Sequence, residues 1–376
     1  MGEGLRAGRP RHGHTFCYTC GGISVVFASF MKALTLIAPS TFAFETMDTP
    51  QPSVGEVLIE VKACGICGSD IHGMNGSSGR RIPPIVMGHE ASGVIAALGD
   101  GVDEWKVGDR VTFDSTEYCG SCDACAEGKF NICQNRKVLG VSCKDYRRHG
   151  CFAEYVALPT RILHRIPDSL SFEKAAFAEP VAIALHAVDL VPRPRSEKSC
   201  AVVVGAGLIG LLVIQSLRTR GWQHIIAVDL DAGRLAIACE LGASKGISAR
   251  DENALQQIRD YAGVDGAEAA WEVVGAAAPF DLAVRCVQKN GTVVLVGNLQ
   301  ASVAFPLQEV VTRQITLRGS CACAGEYPEA VARISDGSIF VSVHRIFEGC
   351  LGPHPSALIK INRNEFAYLI FGVLGG

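Results

Sequence analysis

The chain has 376 residues, of which 48% are hydrophobic, and its 35 basic residues nearly balance its 38 acidic ones. That length and apolar content suffice for two packed domains. The formal net charge of −3 gives no single-sign field for nucleic acid or an anionic membrane surface. No apolar run in the sequence reaches the roughly 18 residues of a membrane span. The sequence therefore predicts neither a nucleic-acid nor a membrane partner.

The 16 cysteines do not resemble the disulfide framework of a small secreted protein. The chain is too long for that class, and its densest cysteine cluster has the spacing of metal ligands. We therefore expect a reducing, cytoplasmic location.

Residues 1–30 differ in composition from the rest of the chain, since a polar, irregular stretch precedes the short apolar run GGISVVFASF. Three interpretations are open: a leader peptide, a metal or redox pair at Cys17 and Cys20, and a non-conforming N-terminal extension. A C-x-x-C motif without a partner pair is weak evidence for a metal site, so we favour the extension.

From residue 31 the pattern predicts an α/β protein with two kinds of domain. The short runs VLIEVKAC, ASGVIAAL and RVTF predict the strands of an irregular, mainly-β domain, and a helical segment follows them. We place this mainly-β domain at 31–186. After a polar linker, strands and helices alternate over 187–322, which predicts a doubly wound parallel sheet. Residues 323–376 follow that alternation.

Four cysteines form the most informative motif. They occur as C-x2-C-x2-C-x7-C within the polar, turn-rich stretch YCGSCDACAEGKFNIC. Four thiolates at this spacing can close a tetrahedral zinc site that leaves no position for a substrate. We therefore predict a structural zinc ion on Cys119, Cys122, Cys125 and Cys133.

A second group of metal-ligand types lies upstream, where Cys67 is followed by His89 and Glu90. A mixed sulfur, nitrogen and oxygen set differs from a closed four-sulfur set and is typical of a catalytic zinc. The two groups together predict two zinc ions per chain, one structural and one catalytic.

A glycine motif predicts the cofactor. Gly205, Gly207 and Gly210 form G-x-G-x-x-G directly after the apolar strand AVVV and open a helix. Glycines at these positions allow a tight turn, close approach of a pyrophosphate and close helix–strand packing. Asp229 ends the next strand, where a carboxylate can bind ribose hydroxyls and would repel a 2′-phosphate. This arrangement favours NAD over NADP. The full set of predicted cofactor-binding residues is Gly205, Gly207, Leu208, Ile209, Gly210, Asp229 and Arg234.

Several motifs follow one another in a fixed order: CGICGSDIHG, GHEASGVIAALGDGV, GDRV, the four-cysteine segment, CFAEY and AEPVAIALHA. With these motifs the chain resembles the zinc-dependent medium-chain alcohol dehydrogenase family over about residues 31–340. Glu179 in Ala-Glu-Pro makes the sequence most similar to the sorbitol, polyol and L-threonine dehydrogenase branch. The resemblance implies a zinc-binding, GroES-like catalytic domain at 31–186 beside an NAD-binding Rossmann domain at 187–322. It also implies that residues 323–376 return to the catalytic domain, here with an atypical, shortened tail. The family further implies a homo-oligomer, either a dimer or a tetramer.

The resemblance also implies roles for the site residues. Cys67 and His89 would bind the catalytic zinc directly, and whether Glu90 or Glu179 binds it directly or stays a neighbour is left open. Ser69 would accept the alcohol proton and His72 would pass it outward. Asp70 would orient the ligand histidine.

These features together predict zinc- and NAD-dependent oxidation of a secondary alcohol, a polyol such as sorbitol, to a ketone. Two alternatives remain. One is an L-threonine 3-dehydrogenase activity, and the other is an inactive dinucleotide-binding homologue whose altered tail, ending in the apolar run AYLIFGVLGG, prevents activity.

Overall fold

The computed structural model describes residues 16–20, 23–27, 29–342 and 358–360. The strands, in chain order, are β1 (Phe16–Cys20), β2 (Ile23–Phe27), β3 (Phe30–Ala38), β4 (Thr41–Asp48), β5 (Glu56–Gly65), β6 (Ile85–Val86), β7 (Glu90–Leu98), β8 (Arg110–Phe113), β9 (Thr116–Glu117), β10 (Lys137–Val138), β11 (Val141–Ser142), β12 (Arg147–Arg148), β13 (Tyr155–Pro159), β14 (Leu163–Arg165), β15 (Cys200–Val204), β16 (His224–Asp229), β17 (Lys245–Ser248), β18 (Ala267–Glu272), β19 (Val287–Leu295), β20 (Thr316–Gly319) and β21 (Leu358–Lys360).

The α-helices, in chain order, are α1 (Gly68–Gly73), α2 (Asp123–Ala126), α3 (Phe172–Ala176), α4 (Ala178–Asp189), α5 (Leu208–Thr219), α6 (Ala232–Glu240), α7 (Ala254–Ala262), α8 (Ala277–Cys286), α9 (Leu307–Thr312) and α10 (Tyr327–Ser335). Two short 3-10 helices cover Phe130–Ile132 and Thr160–Ile162. Among the residues with a described placement, no helix is long and apolar enough to cross a bilayer.

The N-terminal half is built on antiparallel sheets. The largest has the strand order β13-β5-β7-β8-β14, and β21 also pairs with β5. A second sheet, β4-β3-β6, lies beside it, and three two-stranded ribbons complete this half. The predicted mainly-β architecture is therefore confirmed.

The register of the large sheet positions one of the predicted ligands. Glu90, the first residue of β7, pairs with Gly65, the last residue of β5. A Cβ on residue 65 would lie 2.3 Å from Glu90 Oε2, so the glycine leaves the space that the carboxylate fills. Position 88, just before this strand, requires glycine. Its φ is +90°, and a Cβ there would lie 2.4 Å from the Phe152 ring.

The second half is a six-stranded parallel sheet in the order β17-β16-β15-β18-β19-β20. Numbered from β15, this is the order 3-2-1-4-5-6 of a Rossmann fold, whose ligand crevice lies where the strand order reverses, between β15 and β18. Along β15, Ala201 and Val203 face one hydrophobic core and Val202 and Val204 face another, so helices cover both sides of the sheet. The predicted doubly wound sheet is confirmed.

Helix α4 connects the two halves. Pro180 lies in its first turn, where the missing N–H costs no intrahelical hydrogen bond. The buried Trp271 of β18 donates from Nε1 to the carbonyl oxygen of Ala187 at 2.9 Å, which ties the helix to the parallel sheet. Glu179 in its first turn is therefore held on a rigid element between the sheets.

The domain boundaries at residues 30, 186 and 322 stay predictions, as does the assignment of residues 1–30 to an extension. The structure places an antiparallel hairpin, β1 with β2, in the described part of that segment. Beyond residue 342 only 358–360 are described, so the predicted shortening of the tail lies largely outside the described residues.

Candidate metal and cofactor sites

The four clustered cysteines present their sulfur atoms to one point. Four of the Sγ–Sγ distances are 3.4 Å (Cys119–Cys133), 3.6 Å (Cys122–Cys125), 3.8 Å (Cys122–Cys133) and 4.0 Å (Cys119–Cys125). Tetrahedral zinc with Zn–S bonds of about 2.3 Å requires Sγ–Sγ distances of about 3.8 Å. The four residues therefore fit a closed zinc site.

Local hydrogen bonds prepare these sulfurs for metal binding. The backbone N–H and the hydroxyl of Ser121 stabilise the Cys119 thiolate and lower the pKa of that thiol to about 5. The Cys119 N–H in turn donates to the Cys133 Sγ at 3.3 Å. Thiolates, not thiols, ligate zinc, so these bonds favour the metal-binding form of Cys119, whereas burial raises the pKa of the Cys125 thiol to about 11.

Cys67, His89 and Glu90, here called the mixed cluster, also lie close together in the structure. One donor atom from each of Cys67, His89 and Glu90 lies within 4.8 Å of the other two. His89 and Glu90 are buried and Cys67 is half-buried. Glu90 Oε1 is buried without a hydrogen-bond partner among the described residues, as is expected of an atom kept for a cation. This set fits a zinc ion with three protein ligands and an open position.

A capping box at the start of α1 explains part of this geometry. Cys67 is the N-cap, its Sγ accepts from Ser69 N at 3.5 Å, and its own N–H donates to Asp70 Oδ2 at 3.2 Å. Asp70 Oδ1 lies 3.6 Å from His89 Nδ1. The carboxylate thus faces one ring nitrogen of His89 and leaves Nε2 for a metal.

Glu179 and Glu90 are buried carboxylates beside this cluster. Burial, followed by the charge of Asp70, raises the pKa of Glu90 to about 7. Burial, followed by the charge of Glu90, raises the pKa of Glu179 well above its ordinary value. Ser115 Oγ donates to Glu179 Oε1 at 3.2 Å and partly opposes that rise. A bound cation would remove the mutual repulsion of these carboxylates.

Burial also disfavours the charged forms of the other two candidate ligands, His89 and Cys67. Burial lowers the pKa of His89, which keeps the imidazole in the neutral form that coordinates metals. Burial raises the pKa of the Cys67 thiol, so binding of a cation there is coupled to loss of its proton.

The two predicted relay residues lie on α1 at the outer side of the cluster. Ser69 and His72 are both exposed, whereas Asp70 between them is buried.

The glycine motif has the geometry that its spacing predicts. Gly205 (φ +102°) makes the turn after β15, and a Cβ on Gly210 would lie 1.8 Å from the Gly205 carbonyl oxygen. A Cβ built on Gly207 meets no heavy atom within 4 Å, so space is open at the N-terminus of α5. A pyrophosphate fits there, because unpaired backbone N–H groups and the helix dipole favour an anion. Leu208 and Ile209 form the first, half-buried turn of that helix.

Asp229 ties the end of β16 to this motif. Its Oδ2 accepts from Ala206 N at 2.7 Å and its Oδ1 accepts from Asp231 N at 3.0 Å. Arg234 Nη1 lies 3.9 Å from Asp229 Oδ1. The structure thus brings both predicted cofactor residues to the carboxyl end of the same strand.

Three residues of these sites were not predicted from the sequence, namely Gly65, Arg81 and Ser115. Gly65 lies within the quoted CGICGSD run, and its lack of a side chain could have suggested a close neighbour. Arg81 Nη2 contacts Asp70 Oδ1 at 3.2 Å, and Ser115 contacts Glu179. Their spacing in the sequence carries no signal for these contacts, which tertiary packing creates.

Fold and sites define a class of protein, a two-domain dehydrogenase with a metal centre in its antiparallel half and a dinucleotide fold in its parallel half. Residues 53–168 match the family model of the alcohol dehydrogenase GroES-like domain, and residues 209–336 match that of the zinc-binding dehydrogenases. The chain belongs to the zinc-dependent medium-chain alcohol dehydrogenase family.

Individual relatives agree with this assignment. The sorbitol dehydrogenase of Bacillus subtilis is 34% identical over 82% of this chain and 87% of its own length. The D-arabitol-phosphate dehydrogenase of Enterococcus avium is 32% identical over 82% and 88%. A zinc-binding dehydrogenase from Sinorhizobium meliloti bound to NADP superposes with a TM-score of 0.76 at 30% identity, covering 83% of this chain and 90% of that one. An alcohol dehydrogenase from Escherichia coli complexed with NADH gives the same TM-score, identity and coverage.

Proposed function

We propose that this protein catalyses the zinc- and NAD-dependent oxidation of a secondary alcohol, most specifically a polyol such as sorbitol, to a ketone. The observation that carries the proposal is the convergence of Cys67, His89 and Glu90 within 4.8 Å, beside the buried Glu179. Three protein ligands leave one position open for a substrate oxygen. When bound, zinc favours loss of the alcohol proton and the nicotinamide ring takes the hydride.

The protein residues then have distinct tasks. Asp70 holds the His89 ring in its metal-facing orientation. Ser69 takes the proton from the substrate hydroxyl while it gives up its own hydrogen toward His72. His72 passes that proton to solvent, to which it is exposed. Glu179, which accepts a hydrogen bond from Ser115, is a further candidate oxygen ligand within reach of the buried site. Whether Glu90 or Glu179 ligates zinc directly stays open in this proposal.

NAD is the cofactor we propose, because the carboxylate of Asp229 at the end of β16 would repel a 2′-phosphate. Arg234 beside it is the feature that would instead accommodate a 2′-phosphate. Its approach to Asp229 partly neutralises the arginine, which supports the choice of NAD.

We infer the class of substrate from the relatives that this chain resembles within the family. Similarity to a sorbitol dehydrogenase and to a D-arabitol-phosphate dehydrogenase supports a polyhydroxylated substrate, with or without a phosphate. An L-threonine 3-dehydrogenase activity and an inactive dinucleotide-binding protein are the competing functions, and each makes a different prediction in a substrate screen.

We also propose a cytoplasmic homo-oligomer. The 13 cysteines whose side chains are described form no disulfide with one another, which suits a reducing compartment. Helix α9 precedes the edge strand β20 in the chain, buries none of its residues and exposes Leu307 and Val311. Exposed apolar groups along an unpaired sheet edge are typical of an association surface.

The test is a metal analysis combined with a turnover screen. Purified protein is assayed for zinc content and for NAD reduction with sorbitol, xylitol, a phosphorylated polyol and L-threonine. We expect about two zinc ions per chain and the fastest rate with a polyol. His89→Ala should abolish turnover and leave NAD binding nearly intact, since the glycine motif lies on the other sheet. Undiminished turnover in that variant would show that the reaction does not depend on a zinc ion bound by His89.

A further inference from the structure

Arg81 is a buried cation at the edge of the mixed cluster. Its residue is only 4% exposed, and its stem crosses α1 where Gly73 has no side chain, since a Cβ there would lie 2.7 Å from Arg81 Cγ. Burying a guanidinium is costly unless the charge is paired and hydrogen-bonded. Its contacts therefore indicate why it is there.

One nitrogen of this guanidinium serves two groups of the site. Arg81 Nη2 donates to Asp70 Oδ1 at 3.2 Å and to Ser69 Oγ at 3.3 Å. Nη1 donates to the Arg80 carbonyl oxygen at 3.2 Å, which helps to fix the plane of the Arg81 guanidinium. Asp70 faces the ligand histidine, and Ser69 is the proposed proton acceptor, so Arg81 joins the metal side of the site to its proton-transfer side.

The contact with Ser69 has a directional consequence. A hydroxyl oxygen that accepts a hydrogen bond from a cation must direct its own hydrogen elsewhere. The nearby positive charge also stabilises the partial negative charge that forms on Oγ when the serine hands on its hydrogen. The hydroxyl is thereby both oriented and polarised for proton transfer.

We infer that Arg81 is a positioning residue that acts through Ser69 and Asp70 together, orienting the hydroxyl that takes the substrate proton and the carboxylate that faces His89. This inference rests on the proposed function. A role limited to balancing the charge of Asp70 would involve Asp70 alone, and a lysine could fill that role, because its ammonium can pair with one carboxylate.

The decisive experiment is a double-mutant cycle of Arg81→Lys and Ser69→Ala, measured as kcat for polyol oxidation. If Arg81 acts through Ser69, Arg81→Lys should lower kcat about tenfold or more in the parent chain but less than about twofold in the Ser69→Ala background. Multiplicative losses in the double variant would mean that the two residues act independently, and the inference would be wrong. Arg80→Lys, at the exposed neighbour, is the matched control and should leave kcat unchanged.

Zinc affinity gives a readout that does not depend on turnover. Arg81→Met removes the partner of Asp70 and should weaken zinc binding at the mixed cluster about tenfold in a chelator competition. Arg81→Lys should retain it within about threefold. Unchanged affinity in Arg81→Met would overturn the link through Asp70, and Arg81→Lys still carries the kinetic test if the methionine variant does not fold. A parent chain without alcohol turnover would refute the proposed function, while the zinc measurements would still decide the role of Arg81.

Discussion

Ser115 and Glu179 form a hydrogen bond between two distant parts of the chain, with Ser115 Oγ donating to Glu179 Oε1 at 3.2 Å. Both residues are buried, and Glu179 has a second carboxylate, Glu90, as its largest source of charge repulsion. The Ser115 hydroxyl therefore fixes the Glu179 carboxylate, which could otherwise turn away from the mixed cluster.

Ser115→Ala should weaken zinc binding at the mixed cluster by about tenfold, because the orientation of Glu179 is lost. The measurement is a chelator competition on the purified chain. Ser216→Ala is the control, since that buried hydroxyl has no partner among the described residues and lies on the far half of the molecule. Equal zinc affinity in the Ser115 variant and the parent would show that this hydrogen bond does not help to hold the metal.

Cys122→Ser should lower bound zinc by about one ion per chain. Thermal stability should fall with it, because the polar loop from Cys119 to Cys133 offers little apolar surface to order itself. Metal content by elemental analysis and the unfolding temperature check both effects. The exposed Cys239, which belongs to neither cysteine cluster, gives the control variant Cys239→Ser. Retention of two zinc ions would contradict the structural site.

Asp229→Ser should lower the preference for NAD over NADP by about tenfold or more, equivalent to about 1.4 kcal/mol, because a like charge beside the 2′-phosphate disappears. The quantity to compare is the ratio of kcat/KM with the two cofactors. Asp231→Ser is the control, as serine can replace the aspartate that caps α6 by accepting from Arg234 N. Equal rates with both cofactors in the parent chain would show that Asp229 does not select NAD.

His164 should make the protein sensitive to acid. Burial lowers the pKa of this ring, which stacks on Tyr327 at 4.9 Å, from 6.5 to about 4. Between pH 6.5 and 4 the unfolded chain binds a proton that the native chain does not, so stability rises with pH in this window and is lost as the pH falls.

His164→Phe keeps an aromatic ring against Tyr327 and removes the titration. We expect it to recover ~2 kcal/mol of the stability that the parent loses on acidification to pH 4. Denaturant unfolding at pH 7 and pH 4 measures the difference. The parallel variant His224→Phe, whose ring contacts Tyr261, is the control. An unchanged acid slope in His164→Phe would exclude this histidine as a cause.

Short-range spacing was sufficient for much of the fold and for one metal site. The four-cysteine cluster lies within one loop, so ligand spacing alone predicts that the sulfurs can meet, and the Sγ–Sγ distances agree with a zinc tetrahedron. The glycine motif is equally local, because Gly205 and Gly210 must approach within one strand–turn–helix unit. The capping box that joins Cys67 to Asp70 likewise depends on neighbours in the sequence.

The mixed cluster required tertiary structure. The sequence does not distinguish the roles of the adjacent Arg80 and Arg81. In the structure Arg80 is exposed, whereas Arg81 is buried against Asp70 and Ser69. Nor could it reveal that Ser115 fixes Glu179. Burial and charge pairing arise when distant segments exclude water from a shared volume, and that depends on how the sheets and α4 pack. The sequence by itself determined which ligand types are present and how the local loops fold, whereas only the packed structure decided which charges face each other and which side chains hold them in place.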